Sequence, residues 1–242
     1  MRSLIIMVLL CLLFFNTKGQ QSLDLFTISG RIGSPRPYLE NYSGDATESA
    51  ALFNAKIPIR LGDKSIWYTD ASYLFSNVSS SEALPTGIAN PIRLNGFIIQ
   101  TGLVQKLTDD QAIQLLIVPR FMSDFKAKSI NNWQLGGIGL YEKRYSEKLM
   151  LRYGLLYNQE RFGPNLVPLI YLDWRLGDKW YINGMLPIFA KVNYLVSENL
   201  TVGFSHFGLT TSYYLGDEAY AGDYIERSSI DLTLFARQRI AG

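Results

Sequence analysis

The chain contains a single histidine, His206, and its neighbours are the residues best suited to nucleophilic chemistry. Ser205 precedes it, and three acidic residues follow in a loop-like stretch: Asp217, Glu218 and Asp223. A serine activated by His206 would indicate an outer-membrane hydrolase that modifies lipids. Adjacent residues of a strand point to opposite faces, however, so Ser205 cannot be the nucleophile that His206 activates. We therefore expect no catalytic residues, and the hydrolase remains an alternative hypothesis.

Signals for a cofactor or a metal ion are weak. One histidine cannot build a histidine-rich metal site. The run Gly136-Gly137-Ile138-Gly139 resembles half of a dinucleotide-binding fingerprint, but it lacks the remaining glycine and the strand–turn–helix context. The acidic stretch at 217–223 could hold a divalent cation, although such a loop is more often only solvated. We expect neither a cofactor nor a metal site.

A third set of polar residues alternates with apolar ones along extended segments. If the apolar rows face lipid, these polar residues point into a lumen, because an arginine or lysine facing mid-bilayer costs ~2–4 kcal/mol. They could pair into a salt-bridged plug or line a path for a small polar solute. The predicted lumen-lining residues are Asn54, Lys56, Arg60, Gln114, Arg120, Arg152, Asn158, Asp173 and Arg175.

The stretch 149–182 shows the elements that would position them. Its first segment, 149–158, places leucines and tyrosines at odd positions and more polar residues at even positions. Its second segment, 165–176, repeats this alternation before the turn Gly177-Asp178-Lys179. A period of two predicts strands, and each segment is about as long as the 9–11 residues that a tilted strand needs to cross a bilayer.

Similar segments recur along the chain and predict a closed, antiparallel, up-and-down transmembrane β-barrel of roughly 10–12 strands. Region 180–196 could form two short strands or one long strand. Compact polar turns tend to alternate with longer loops, as in outer-membrane barrels whose short turns face the periplasm. The longer loops are expected at 33–47, 76–90, 126–132, 159–164 and 216–223.

The N-terminus predicts export. Arg2 precedes twelve apolar residues, which fit the core of a cleaved signal peptide at 1–19 with cleavage near Gly19. The only cysteine, Cys11, lies in this signal. Residues 20–242 would form one barrel domain. Without Arg2 and Lys18, 21 basic residues face 21 acidic ones, so the mature chain offers no electrostatic case for binding nucleic acid.

The pattern resembles the uncharacterised outer-membrane β-barrel proteins of Bacteroidota. The resemblance rests on the signal peptide, Gln20 after it, the turn 177–180, the Leu186-Pro187 step and the short acidic turns. It implies a cell outer-membrane location in a Gram-negative envelope, and it implies no catalytic residues.

We expect a structural protein or a narrow solute conduit, without enzymatic activity. Its partners would be outer-membrane lipid and the barrel-assembly machinery, with a small solute as a further possibility. A soluble, secreted, lipocalin-like binder is the other alternative.

Overall fold

The structure is a computed structural model, and it describes residues 25–38, 44–82, 90–217 and 222–239. The predicted signal peptide with Cys11 and Gly19, the residue Glu218 and the C-terminal residues 240–242 lie outside the described residues. Within the described part, regular structure consists of strands and one 3-10 turn, Ile130–Asn132. No helix there has the length and apolar character needed to span a membrane.

Thirteen strands follow one another along the chain, as the alternating segments predict. Their bounds are β1 Phe26–Ile32, β2 Arg36–Pro37, β3 Asp45–Arg60, β4 Ser65–Ser80, β5 Ile92–Lys106, β6 Gln111–Ser123, β7 Trp133–Ser146, β8 Leu149–Glu160, β9 Gly163–Leu176, β10 Trp180–Leu186, β11 Phe189–Ser197, β12 Leu200–Tyr214 and β13 Tyr224–Gln238.

All thirteen strands form one sheet, in which β1, β3 and every later strand are hydrogen-bonded to their neighbours in sequence order. These twelve strands are antiparallel, and the two-residue β2 pairs only with β3. The expected number was ten to twelve, and β2, which lies in the predicted loop 33–47, accounts for the excess. Region 180–196 forms two short strands, β10 and β11.

The sheet curls into a partly ring-like wall with an inner and an outer face. On β6, Leu115 and Ile117 are 59% and 60% exposed, whereas Leu116 and Val118 are 5% and 3% exposed. The same alternation appears along much of β8 and β9, because successive side chains point to opposite faces. On these strands the exposed face is the apolar one.

Several predicted loops are shorter in the structure. The segment 159–164 is not a longer loop, because β8 and β9 pair up to Glu160 opposite Gly163. Only Arg161 and Phe162 form the turn, and Gly163 adopts a φ of +127°, which glycine accepts without steric cost. Strand β4 likewise continues to Ser80, well into the predicted loop 76–90.

Candidate functional site: the charged interior

The predicted lumen-lining residues fall on the inner face. Arg120, Asn158 and Asp173 are buried, and four others are half-buried: Asn54, Lys56, Gln114 and Arg152. The remaining two, Arg60 and Arg175, are exposed near the short-turn end of the sheet. Arg60 turns back to its own hairpin, where its Nη2 lies 2.7 Å from Asp63 Oδ1.

The most buried ion pair joins Arg120 of β6 to Glu160 of β8. Arg120 Nη2 lies 2.5 Å from Glu160 Oε1, and the two side chains are 3% and 0% exposed. The same Nη2 donates to Gln134 Oε1 at 2.5 Å. Glu160 Oε2 accepts hydrogen bonds from both the backbone N–H and the hydroxyl of Ser212 on β12, at 2.9 and 2.7 Å. Four residues from four strands therefore form one buried network.

The length of the β10–β11 hairpin explains why β12 meets β6 and β8. Pairing between β11 and β12 ends with Phe189 opposite Phe207, and the Gly208 N–H donates to the Ile188 carbonyl. Alternate residues of a strand turn their backbone groups to the same side, so the N–H and C=O of Ser212 point the same way as those of Gly208. No described residue of β11 lies opposite Ser212 to form hydrogen bonds with these backbone groups.

Side chains of β7 and β8 form hydrogen bonds with these backbone groups instead. Glu160 accepts the Ser212 N–H, and Gln134 Nε2 donates to the Ser212 carbonyl at 2.9 Å. One residue pair, Tyr214 with Ser123, then bridges β12 to β6 in parallel orientation. Beyond the hairpin, β12 stays paired with β13, and its last residues, 211–214, are buried in the interior against β6 and β8.

An apolar cluster accompanies these buried residues. It consists of Leu94, Met122, Tyr213 and Leu215, all less than a tenth exposed. Together, the cluster and the Arg120–Glu160 network fill the interior at the end of the sheet opposite the compact turns. We name the Arg120, Gln134, Glu160 and Ser212 network the interior latch.

A second group of charges joins the two ends of the sheet. Arg31 of β1 places Nη1 2.5 Å from Asp231 Oδ2 of β13 and Nη2 2.8 Å from Glu48 Oε2. Glu48 Oε1 also forms a salt bridge with Arg227 of β13, whose Nε lies 2.7 Å away. Strands β1 and β13, although first and last, therefore face each other through inward side chains. Their described residues show no backbone pairing with each other.

Smaller polar groups occupy the middle of the inner face. Arg152 Nε donates to Glu142 at 2.7 Å, and its guanidinium lies 4.7 Å from the Tyr171 ring centre. Farther around the wall, the Tyr181 hydroxyl donates to Asp173 at 3.3 Å. In β3 and β4, the amide of Asn54 donates to Asp70 at 2.5 Å. The charges of Arg152, Asp173 and Asp70 thus each have a hydrogen-bonding partner on the inner face.

The hydrolase hypothesis receives no geometric support at His206. This residue pairs with Leu232 of β13 and lies on the outer, apolar face, whereas Ser205 lies on the inner face. Among the described residues, the His206 side chain has no hydrogen-bond partner. No group of three potential metal ligands occurs in the described part of the chain. The run 136–139 lies inside strand β7, so it has no strand–turn–helix context.

Sequence reasoning missed Glu160, Gln134 and Ser212 of the interior latch, and Glu48 beside Arg31. Glu160 was assigned to a loop, although it shares the parity of Asn158 and so belongs to the same inner row. That parity was the signal available for Glu160. The partnership of Glu160 with Ser212 had no sequence signal.

Comparisons with known proteins give no family for this chain. No protein-family model matches the sequence, and no curated protein matches it.

Proposed function

We propose that this chain is a closed, transmembrane β-barrel of the outer membrane, with a structural role and a lumen sealed by the interior latch. The observation that carries the proposal is the inverted distribution of side chains. The buried ion pair and most of the hydrogen-bonded amides lie on the inner face, whereas the exposed large side chains of the outer face are mainly leucine, isoleucine, phenylalanine, tyrosine and tryptophan. A soluble lipocalin-like protein would place these residues the other way around, with a polar exterior.

The apolar rows have the height that a bilayer requires. On β6, the outward residues from Ile113 to Phe121 span eight residue steps, which is about 27 Å along a strand. At a tilt of about 40°, this corresponds to roughly 20 Å along the membrane normal, close to the ~25 Å apolar band of outer-membrane barrels.

Aromatic rings lie near both ends of this band. Six rings form a continuous row that starts at Phe53 and Tyr73 in the middle of β3 and β4 and reaches the loop end between β6 and β7, with neighbouring centres 4.7–6.3 Å apart: Phe53, Tyr73, Phe97, Phe125, Phe121 and Trp133. At the short-turn end, Trp67, Trp174 and Trp180 lie within two residues of a strand end. Two aromatic girdles around an apolar band are typical of barrels in membranes.

Closure of the barrel follows from the physics of the proposed location. An open sheet edge does not occur in hydrocarbon, because each unsatisfied backbone group costs several kcal/mol there. Ile28 and Leu234, at the two edges, are 75% and 84% exposed, more than Leu115 in the middle of the wall. Twelve consecutive antiparallel strands make β1 and β13 antiparallel to each other, which allows a direct ladder between them.

The ion pair between Arg31 and Asp231 fixes the register that we propose for that ladder. The two residues would stand opposite each other as a non-hydrogen-bonded pair, and Ser29 would then stand opposite Thr233. The edge hydrogen bonds would come from Ile28, Gly30 and Ile32, whose backbone groups point away from β3. In this register Ile28, Gly30 and Ile32 would pair with Leu234, Leu232 and Ile230, and Arg31 and Asp231 would stay on the inner face.

Cysteine cross-linking tests closure and register together, because the only native cysteine, Cys11, lies in the predicted signal peptide. The variant Ser29→Cys/Thr233→Cys is expected to form a disulfide in membranes, since Cα atoms of such a pair lie about 4.5 Å apart. The shifted pair Ser29→Cys/Phe235→Cys is the control and should stay reduced. Cross-linking of the control alone, or of neither variant, would contradict the proposed ladder.

The sealed lumen is a second part of the proposal, and it can be tested independently of closure. Open aqueous channels are formed by barrels of about 16 strands, and here the last residues of β12 are also buried in the interior. In planar bilayers we expect no steady conductance from the native protein. A stable open channel at all voltages would favour the solute conduit over the sealed structural barrel.

A further inference from the structure

We propose that the loop after β6 forms a binding surface for the phosphate groups of anionic membrane lipids. The surface, named here the anchor patch, consists of the aromatic side chains of Phe97, Phe121, Phe125 and Trp133 together with Ile130, Lys126 and Lys128. This inference rests on the proposed membrane location and goes beyond it, because it assigns a lipid class to one place on the barrel.

Phe125 has a strained backbone conformation. Its φ is +62°, in the left-handed region that a bulky aromatic residue rarely adopts. The Phe125 N–H donates to Ser123 Oγ at 3.1 Å, which holds the turn in this conformation. The ring is 46% exposed and lies between those of Phe97 and Phe121, with centres 6.1 and 5.5 Å away. The turn thus adds a loop residue to the aromatic row of the outer face.

The same loop also carries positive charge. Lys126 and Lys128 are both exposed and take part in no salt bridge with a described residue. Asp124 is the only acid between residues 124 and 133, and its carboxylate accepts backbone N–H groups of Lys126 and Gly216 at 3.0 Å and of Asp217 at 3.2 Å. The charges within residues 125–133 are therefore all positive, while the Asp124 carboxylate holds the loop against residues 216 and 217.

A further contact fixes the far side of the loop. The Arg161 guanidinium donates to the Asn131 carbonyl and lies 5.8 Å from the Tyr214 ring centre. Ile130, on the single 3-10 turn, is 82% exposed beside Trp133, which is 54% exposed. The loop thus exposes the apolar side chains of Ile130 and Trp133 to solvent near Lys126 and Lys128 in sequence. Contact with lipid would remove this apolar surface from water.

The chemistry fits an anionic lipid headgroup. Aromatic rings and Ile130 would enter the boundary between acyl chains and headgroups, as amphipathic rings do at interfaces. The two lysines would then stand at the height of the phosphate groups. A lysine near an anionic membrane surface strengthens binding roughly 5-fold, so two lysines correspond to about 25-fold.

Lipid-selective quenching of Trp133 tests the anchor patch in the folded, full-length protein. In a Trp67→Phe/Trp174→Phe/Trp180→Phe background, Trp133 is the only tryptophan, and brominated phosphatidylglycerol or brominated phosphatidylcholine in otherwise unlabelled vesicles reports which lipid lies beside it. We expect a preference of about 25-fold for phosphatidylglycerol, lost in Lys126→Gln/Lys128→Gln and retained in the matched control Lys64→Gln/Lys148→Gln at the short-turn end.

Equal quenching by the two lipids in the unsubstituted background, or an unchanged preference in Lys126→Gln/Lys128→Gln, would overturn the proposed lipid site. Gel mobility before and after heating, measured on the same vesicles, reports whether the barrel has inserted. An inserted barrel without lipid preference refutes the anchor patch alone, whereas a chain that does not insert refutes the membrane proposal and the anchor patch with it.

Discussion

Removal of the Glu160 carboxylate is the sharpest perturbation of the interior latch. In Glu160→Ala, the buried Arg120 guanidinium loses the only carboxylate that pairs with it among the described residues, and the Ser212 N–H loses its acceptor. Removing one partner of a buried ion pair costs ~3–5 kcal/mol, and an orphaned buried N–H costs ~1–3 kcal/mol. We therefore expect the free energy of unfolding to fall by at least about 3 kcal/mol.

A double variant separates these two contributions. In Arg120→Met/Glu160→Met, no charge is left in the interior latch, and replacing a buried ion pair by apolar side chains is often neutral or stabilising. The Ser212 N–H still lacks its acceptor, so a loss of ~1–3 kcal/mol is expected to remain. The double variant should thus be more stable than Glu160→Ala, although it carries more substitutions.

The assay is reversible guanidinium unfolding in lipid vesicles, followed by tryptophan fluorescence and by gel mobility, together with conductance in planar bilayers. Glu160→Ala is expected to show both the stability loss and channel openings, because the last residues of β12 lose a contact that holds them in the interior. A Glu160→Ala protein within about 1 kcal/mol of wild type, silent in bilayers and no less stable than the double variant, would refute the latch.

Two further predictions concern single positions. An ideal Cβ on Gly154 would lie 1.8 Å from the Gly139 carbonyl oxygen, whereas one on Gly137 would meet nothing closer than 3.6 Å. Unfolding measurements should therefore show Gly154→Ala destabilised by at least ~1–3 kcal/mol and Gly137→Ala nearly unchanged; equal effects would contradict the close approach of β7 and β8. Hydrogen bonds from Lys143 and Thr108 hold the pKa of the Asp110 carboxyl below its usual range. The ionised Asp110 therefore stabilises the fold at pH values above its unfolded-state pKa, and this stabilisation is lost as pH falls through its folded-state pKa. In Lys143→Met, NMR titration should show the pKa of Asp110 rising, and an unmoved pKa would exclude the pairing.

Alternation was enough to predict the faces of the long strands, because the side-chain period of two is a local property of the backbone. Leu115 and Leu116 illustrate this: they are the same residue type in adjacent positions, yet one is exposed and one buried, as their parity requires. The all-β antiparallel sheet and the compact turns were predictable for the same reason.

The interior latch was not predictable, because it depends on the lengths of elements far apart in the chain. The last residues of β12 meet β6 and β8 only because the β10–β11 hairpin ends at Leu186 and Phe189, and the boundary in region 180–196 was ambiguous in the sequence. The pair Arg31–Asp231 is separated by 200 residues, so nothing local indicates it. Arg60 and Arg175 lie at inward positions of their strands, but both are exposed because they lie close to the strand ends, and the sequence did not define those ends.

The central claim is that the apolar outer face lies against lipid, and one substitution tests it directly. Leu115 lies in the middle of the apolar row of β6 and is 59% exposed. If that face is in a bilayer, Leu115→Arg should lower the free energy of unfolding in vesicles by ~2–4 kcal/mol, and Leu107→Arg in the adjacent turn by no more than about 1 kcal/mol. If that face is in water, both substitutions should stay within about 0.5 kcal/mol of wild type, and that result would contradict the account.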